Sequence, residues 1–201
     1  LVLAVKPQNL DDVLKEIGSF ITKSHLFISI LAGKKLETIA KYLPCGRLVR
    51  VMPNMAVTVR KGMCVYCMGR GTDDNDRQMV KKIFSCFGRT LELPEEHFDV
   101  VTALSGSGPA FFAYLLSCMI DSGVKAGLSH QHALLLAEQT MLGCASVLLR
   151  QNIMPADLIK AVASPGGTTE AGLKVLNNSD IADILDKTIC SAIQRSKELS
   201  S

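Results

Sequence analysis

As far as Pro94 the chain alternates short, almost wholly apolar runs with stretches whose apolar residues recur at helical spacing. Residues 1–5, 26–31, 48–52 and 62–68 read as buried strands, and 90–93 as a last short one. Leu10, Val13, Leu14, Ile17 and Ile21 predict a helix with Gly18 as its weak point, and residues 34–42 predict a second that stops near Pro44. Met79, Val80, Ile83, Phe84 and Phe87 predict a third over 73–87, closed by Gly88. Strands and helices in this alternation predict a doubly wound sheet of parallel strands.

Beyond Pro94 the period is helical throughout. Pro109 follows a run of small residues and suits the first position of a helix that continues to about 126, where Gly127 stops it. Ser129 is a candidate N-cap for a long helix ending at Arg150. Shorter helices are expected over 155–162 and 169–176. A last one starts near Ser179 and carries Ile181, Ile184, Leu185, Thr188, Ile189, Ala192 and Ile193 on one stripe. The fold class is therefore α/β then all-α, with domains at 1–94 and 95–201.

The helices over 109–126 and 130–150 are apolar on nearly every side, interrupted only by Asp121, Lys125 and Glu138. Such helices must be surrounded by protein, and the few others in the chain hardly suffice; a partner chain is the simplest cover. The mean hydropathy of +0.25 points the same way. The longest uncharged apolar run in the middle of the chain, 110–120, is short for a bilayer, so no membrane is expected as a partner.

The net charge of +3 is spread along the chain, and Lys34-Lys35 and Lys81-Lys82 are isolated pairs, so no nucleic acid is expected either. No signal peptide is visible where residues 1–5 run into Lys6-Pro7. The seven cysteines, Cys45, Cys64, Cys67, Cys86, Cys118, Cys144 and Cys190, are odd in number and lack a repeating spacing, which points to a reducing, cytoplasmic compartment. Cys64 and Cys67 could form a redox or zinc pair, but a strand would send them to opposite faces, and no metal site is expected.

Several loops carry candidate chemistry. In an open α/β sheet ligands lie beyond the carboxyl ends of strands, which singles out Ala4, Val5, Lys6 and Pro7, then residues 30–33 with Ala32, then Asn54 after the strand that ends VMP. Asn54 has an amide that can donate and accept at once. The sequence holds no G-x-G-x-x-G between a strand and a helix, the turn that seats a dinucleotide pyrophosphate. Ser105-Gly106-Ser107-Gly108-Pro109 leads into the first apolar helix, with small residues that permit close approach and hydroxyls that can donate. Ser164-Pro165-Gly166-Gly167-Thr168-Thr169 exposes backbone N–H groups just before a helix N-terminus, a site suited to a carboxylate.

LAVKP, VMPN, DVVTALSGSGPAFF and SPGGTTEAGL, in this order and over essentially the whole chain, closely resemble pyrroline-5-carboxylate reductase. The resemblance implies a Rossmann-type parallel sheet, here partial, that binds NADPH or NADH, followed by a helical dimerisation domain that forms a homodimer and in places larger rings. It implies hydride transfer to the C=N bond of 1-pyrroline-5-carboxylate, giving L-proline. Carried over, Ala4, Val5, Lys6, Pro7, Ala32 and Asn54 are cofactor-binding residues. Glu95, Ser107, Ser164, Gly166, Gly167, Thr168 and Thr169 are substrate-binding ones. Thr169 matches the threonine whose hydroxyl reaches the ring nitrogen and is the catalytic assignment; Glu95 falls where a family residue can meet the amine of proline.

Two departures stand out. VMPN is followed by Met55-Ala56 where the family has Thr-Pro. The strand carrying Ala4 is expected to be the fourth of its sheet, which would put roughly sixty to seventy residues, about two βα units, ahead of Leu1. On that expectation this chain alone is inactive or nearly so. Two other readings stay open: a different Rossmann-plus-helical dehydrogenase acting on hydroxyacids, and a non-catalytic dimerising fragment.

Overall fold

The computed structural model describes residues 1–43 and 46–200, with only the backbone at Pro7 and Ser19. Pro44, expected to stop a helix, and Cys45 lie outside the described residues, as does the Pro7 side chain. The chain divides into two compact units, residues 1–109 with 188–201, and residues 110–187.

The first unit is built on a five-stranded sheet in the order β1-β2-β3-β4-β5. β1 (Val2–Leu3) is followed by α1 (Leu10–Ile17), β2 (Phe27–Ser29), α2 (Leu36–Ala40), β3 (Leu48–Met52), β4 (Gly62–Met68), α3 (Asp74–Ser85) and β5 (Gly88–Glu92). The helix expected to run on to Ile21 gives way at Gly18 to a 3-10 turn, Gly18–Phe20, although Ile21 is still buried. Helices cover both faces. Leu3, Phe27 and Leu48 pack with Leu10 and Leu14 of α1 and Ile39 of α2. Ile28, Val49, Val51, Cys64 and Tyr66 point the other way, onto Val80 and Phe84 of α3.

The expectation of parallel strands is corrected at one place. β1–β2, β2–β3 and β4–β5 are parallel, but β3 and β4 pair antiparallel, Val49 with Met68 and Met52 with Val65. The cause is the length of the connection. Residues 53–61, with a 3-10 turn over Met55–Val59, are too few for a crossover, which needs a dozen or more. Strand periodicity alone does not distinguish the two pairings.

After β5 come α4 (Phe98–Val101) and a π-helical stretch, Thr102–Gly106, in which the Ser107 N–H donates to the Thr102 carbonyl at 2.8 Å. Phe98 and Val101 close a third cluster with Val65 and Cys67. The β-pattern ends at Pro94, but the compact unit continues to Pro109 because α4 still packs on the sheet.

The second unit holds most of α5 (Gly108–Lys125), α6 (His130–Gln151), α7 (Pro155–Val162), α8 (Thr168–Asn177) and the first turns of α9 (Ile181–Ser200). Ser129 caps α6 as expected, its Oγ accepting from the His132 N–H at 3.3 Å. Gly123 of α5 permits close approach to Ala133 of α6: a Cβ there would lie 3.3 Å from the alanine methyl. Elsewhere these helices leave large apolar side chains in the open, among them Phe112, Tyr114, Met119, Leu135, Leu142 and Leu149. The stretches Glu95–Lys125 and His130–Gln151 are long and apolar enough to cross a membrane by length and composition, and little of either is buried within the chain. Composition alone therefore does not separate them from spans, as the shortness of the run 110–120 suggested; it does establish that they require cover.

Candidate active site

In the first unit the parallel strands β1, β2 and β3 bring their carboxyl ends to one sheet edge. The register pairs Leu3 with Ser29 and Ser29 with Arg50. Ala4 to Lys6, Ala32 and Asn54 follow these strand ends in the chain. Ala4, Lys6 and Ala32 are exposed there, Val5 is half-buried against the core, and a 3-10 turn begins where the Asn9 N–H donates to the Lys6 carbonyl at 2.9 Å. The small side chains of Ala4 and Ala32 leave this edge open to a planar ligand, the setting in which α/β sheets bind dinucleotides.

Asn54 is half-buried and already employed. Its Oδ1 accepts from the Met63 N–H at 3.2 Å and its Nδ2 donates to Ser105 Oγ at 3.4 Å, so it ties the hairpin of β3 and β4 to the π-helical stretch. A Cβ on Gly106 would lie 2.7 Å from Met52 Cε, so the small-residue run Ser105–Ser107 is what allows that stretch to lie against the end of β3. π-Helical turns of this kind are frequent at functional sites. Ser107 is half-buried within it.

Glu95 is placed differently from a residue that waits for an amine. Its Oε1 accepts from the Leu36 N–H at 2.7 Å and from Arg50 Nη1 at 2.9 Å. Arg50 is 3% exposed, and Phe98 packs against its guanidinium at 4.7 Å. A buried guanidinium demands a carboxylate, and Glu95 answers it while fixing the start of α2.

In the second unit the loop 164–167 is a tight turn closed by the Gly167 N–H donating to the Ser164 carbonyl at 3.0 Å. Gly166 has φ +71°, and a Cβ on Gly167 would lie 2.5 Å from Ser164 Oγ, so both positions need glycine. Gly167 is the N-cap of α8, with Thr168 first and Thr169 second in the helix; no side chain caps it. Thr169 is therefore not the capping residue. It is half-buried, while Ser164, Gly166 and Thr168 are exposed.

The composition of this loop pointed to an anion, and the structure supplies one from within. The Gly166 N–H donates to Glu170 Oε2 at 2.5 Å. Glu170 was not among the candidates, although a carboxylate three residues after an N-cap is the pattern of a capping box and could have marked it.

Cys64 and Cys67 face opposite sides of β4, in different clusters. Burial raises both thiols, Cys67 to about 12, so neither has the thiolate character of a redox or metal-binding pair.

Residues 95–199 match the pyrroline-5-carboxylate reductase dimerisation family. The chain is 41% identical over 200 residues to pyrroline-5-carboxylate reductase of Methanosarcina acetivorans, covering 99% of this chain and 74% of that protein. It is 36% identical to the Glycine max enzyme of that name over 100% of this chain and 73% of the relative. A pyrroline-5-carboxylate reductase from Coxiella burnetii superposes with a TM-score of 0.95 at 33% identity, covering 100% of this chain and 75% of the other. A pyrroline carboxylate reductase from Plasmodium falciparum, solved with NADP bound, gives 0.89 at 31%, covering 100% and 76%.

Proposed function

Because the chain belongs to the pyrroline-5-carboxylate reductase family, we propose that the sheet edge of the first unit is its nicotinamide-cofactor side and that the Ser164–Thr169 loop of the second is an imine-binding loop. The activity is that of an NAD(P)H-dependent oxidoreductase acting on the C=N bond of 1-pyrroline-5-carboxylate to form L-proline. Family membership removes the hydroxyacid dehydrogenase reading.

The exposed Ala4, Lys6 and Ala32, with Val5 and the backbone at Pro7, line the cofactor, and Asn54 directs its remaining amide N–H toward the carboxamide end. Bound NADPH or NADH supplies the hydride. What remains for the protein is to hold two poles of a small substrate. A protonated imine accepts hydride readily, so positioning matters more than a strong side-chain acid. The Gly166 and Thr168 N–H groups and the Ser164 hydroxyl receive the carboxylate at the positive end of α8, with Gly167 closing the turn that presents them, and Thr169 Oγ meets the ring nitrogen. Ser107 adds a hydroxyl toward the substrate. Glu95, which the resemblance assigns to the substrate amine, already holds Arg50 and the Leu36 N–H.

The observation that carries the substrate half is the Gly166–Glu170 contact, in which a backbone N–H donates to a carboxylate. The helical segment is a dimerisation domain, and its exposed apolar side chains favour a second copy of the chain, rather than lipid, as their cover. We keep the domain boundary at Pro94, where the apolar period changes; the matched segment 95–199 starts just after it, while the compact unit runs on to Pro109. The cytoplasmic location, with neither nucleic acid nor membrane as partner, is proposed on the odd, unpatterned cysteine set and the spread charge of the sequence. Incubation with NADPH and pyrroline-5-carboxylate tests the reading on the chain joined to the glycine-rich βα segment that it is expected to need, and the kinetic measurements below use that same protein: L-proline forms in step with cofactor oxidation if the reading is right, and neither occurs if it is wrong.

A further inference from the structure

The loop joining β2 to α2, residues 31–36, is gripped from two sides by groups far away in sequence. At one end, Glu95 Oε1 accepts from the Leu36 N–H at 2.7 Å. At the other, Gly33 lies beneath the last turn of α9. Its φ is +71°, and a Cβ there would come within 2.9 Å of the Leu199 carbonyl oxygen and 3.3 Å of the carbonyl carbon. Backbone meets backbone at this point, and no larger residue fits.

The last turn of α9 is itself anchored. Ser196 is 6% exposed, and its hydroxyl donates to Asp99 Oδ1 of α4 at 2.6 Å, across 97 residues of sequence. Ser200 Oγ donates back to the Ser196 carbonyl at 2.8 Å, and Ser200 borders a cleft of about 350 Å³ with Lys35, Arg50, Glu95 and Asp99. The final carbonyls of a helix lack intrahelical donors and carry the negative end of its dipole. Here they face a loop that reads Gly33-Lys34-Lys35, in which the two residues after the glycine are cations.

We propose that Ser196 and Leu199 are positioning residues: through the Ser196–Asp99 bond and the Leu199–Gly33 contact, the end of α9 sets the course of the 31–36 loop and so the place of Ala32 against the cofactor. The proposal rests on the reading of Ala32 as a cofactor-lining residue. Asp99, in the segment DVV that precedes the π-helical stretch, serves as the fixed post. A helix end that only added stability would need neither the glycine below it nor a buried hydroxyl aimed at a carboxylate.

Two measurements on Ser196→Ala decide the matter. Amide hydrogen exchange over 31–36 should accelerate while that of β4 stays unchanged. The KM for NADPH should rise roughly three- to tenfold, the span that a single hydrogen bond accounts for, with the KM for pyrroline-5-carboxylate and kcat nearly constant. Ser196→Thr, which keeps the hydroxyl, should restore both. Should Ser196→Ala fold poorly, Gly33→Ala displaces the loop from Leu199 with the Ser196–Asp99 pair intact and should give the same cofactor effect. Exchange that speeds uniformly through the unit, or a loop left unchanged, overturns the proposal, as does a loosened loop with unaltered NADPH KM. An unsubstituted protein that carries the chain together with a glycine-rich βα segment and still does not oxidise NADPH with this imine refutes the functional reading instead, and hydrogen exchange still decides whether the end of α9 positions the loop.

Discussion

The Gly166 N–H donates to the Glu170 carboxylate at 2.5 Å, within one turn of the start of α8. If this donor also receives the substrate carboxylate, binding is an exchange of one carboxylate for another. Removing the internal one with Glu170→Ala should therefore lower the KM for pyrroline-5-carboxylate about two- to tenfold, the worth of one modest hydrogen bond. The KM for NADPH should not move. Steady-state kinetics with each substrate varied in turn checks this, and an unchanged or higher imine KM would show that Glu170 only caps the helix.

Asp76 and Arg47 form a second pair with a consequence for pH. Asp76 is 1% exposed, completes the capping box of α3 with Asp73, and accepts from Arg47. The hydrogen bond from the Arg47 guanidinium, opposed by burial and aided by the Asp73 N–H, holds its carboxyl below the ordinary carboxylate value. A carboxyl depressed in the folded state contributes stability that is fully present above the unfolded value and is lost as pH falls through the folded one. Asp76→Asn should therefore destabilise the protein at neutral pH by about 1.5–3 kcal/mol and flatten the loss of stability on acidification. Urea titrations of both proteins at neutral and acidic pH measure it; equal acid sensitivity would contradict the assignment.

Cys64 and Cys67 are buried and their thiols are raised, so they should resist alkylation in the native protein and react only on unfolding. The exposed Cys86 of the first unit should react promptly. Peptide mapping after a brief iodoacetamide pulse distinguishes the classes, and rapid labelling of Cys64 or Cys67 would count against the packing of β4.

The apolar side chains on α5 and α6 lead to a hydrodynamic prediction. Sedimentation at micromolar concentration should give a dimer, and Leu142→Arg on the open face of α6 should weaken it. A well-folded wild-type monomer would contradict the proposed cover.

Much of this was legible along the chain because local rules and tertiary outcome agree. The weak point of the first helix at Gly18, the cap at Ser129 and the glycines of the SPGG turn each follow from the chemistry of one or two residues, although the helix was expected to run on to Ile21. The antiparallel β4 was missed because its direction depends on the length of the preceding connection, not on its apolar pattern. The Glu95–Arg50 pair was not legible because nothing local reveals that Arg50, 45 residues earlier, is buried beside Glu95. Pairings over such separations, like Ser196 with Asp99, are properties of the fold and leave no periodic trace.

The reading of the Ser164–Thr169 loop as the imine site turns on Thr169, which the structure places second in α8 with Gly167 as the N-cap. Replacing it with valine preserves shape and β-branching and removes only the hydroxyl. A hydrogen bond to a group that carries or develops charge contributes about 1.5–3 kcal/mol, so kcat/KM for pyrroline-5-carboxylate should fall roughly ten- to a hundredfold. The melting temperature should hardly change, because no helix cap is lost. The decisive measurement is kcat/KM together with Tm for Thr169→Val beside the wild type. A large kinetic loss at unchanged Tm is the predicted result; a lowered Tm with intact turnover would contradict it and remove Thr169 from the site.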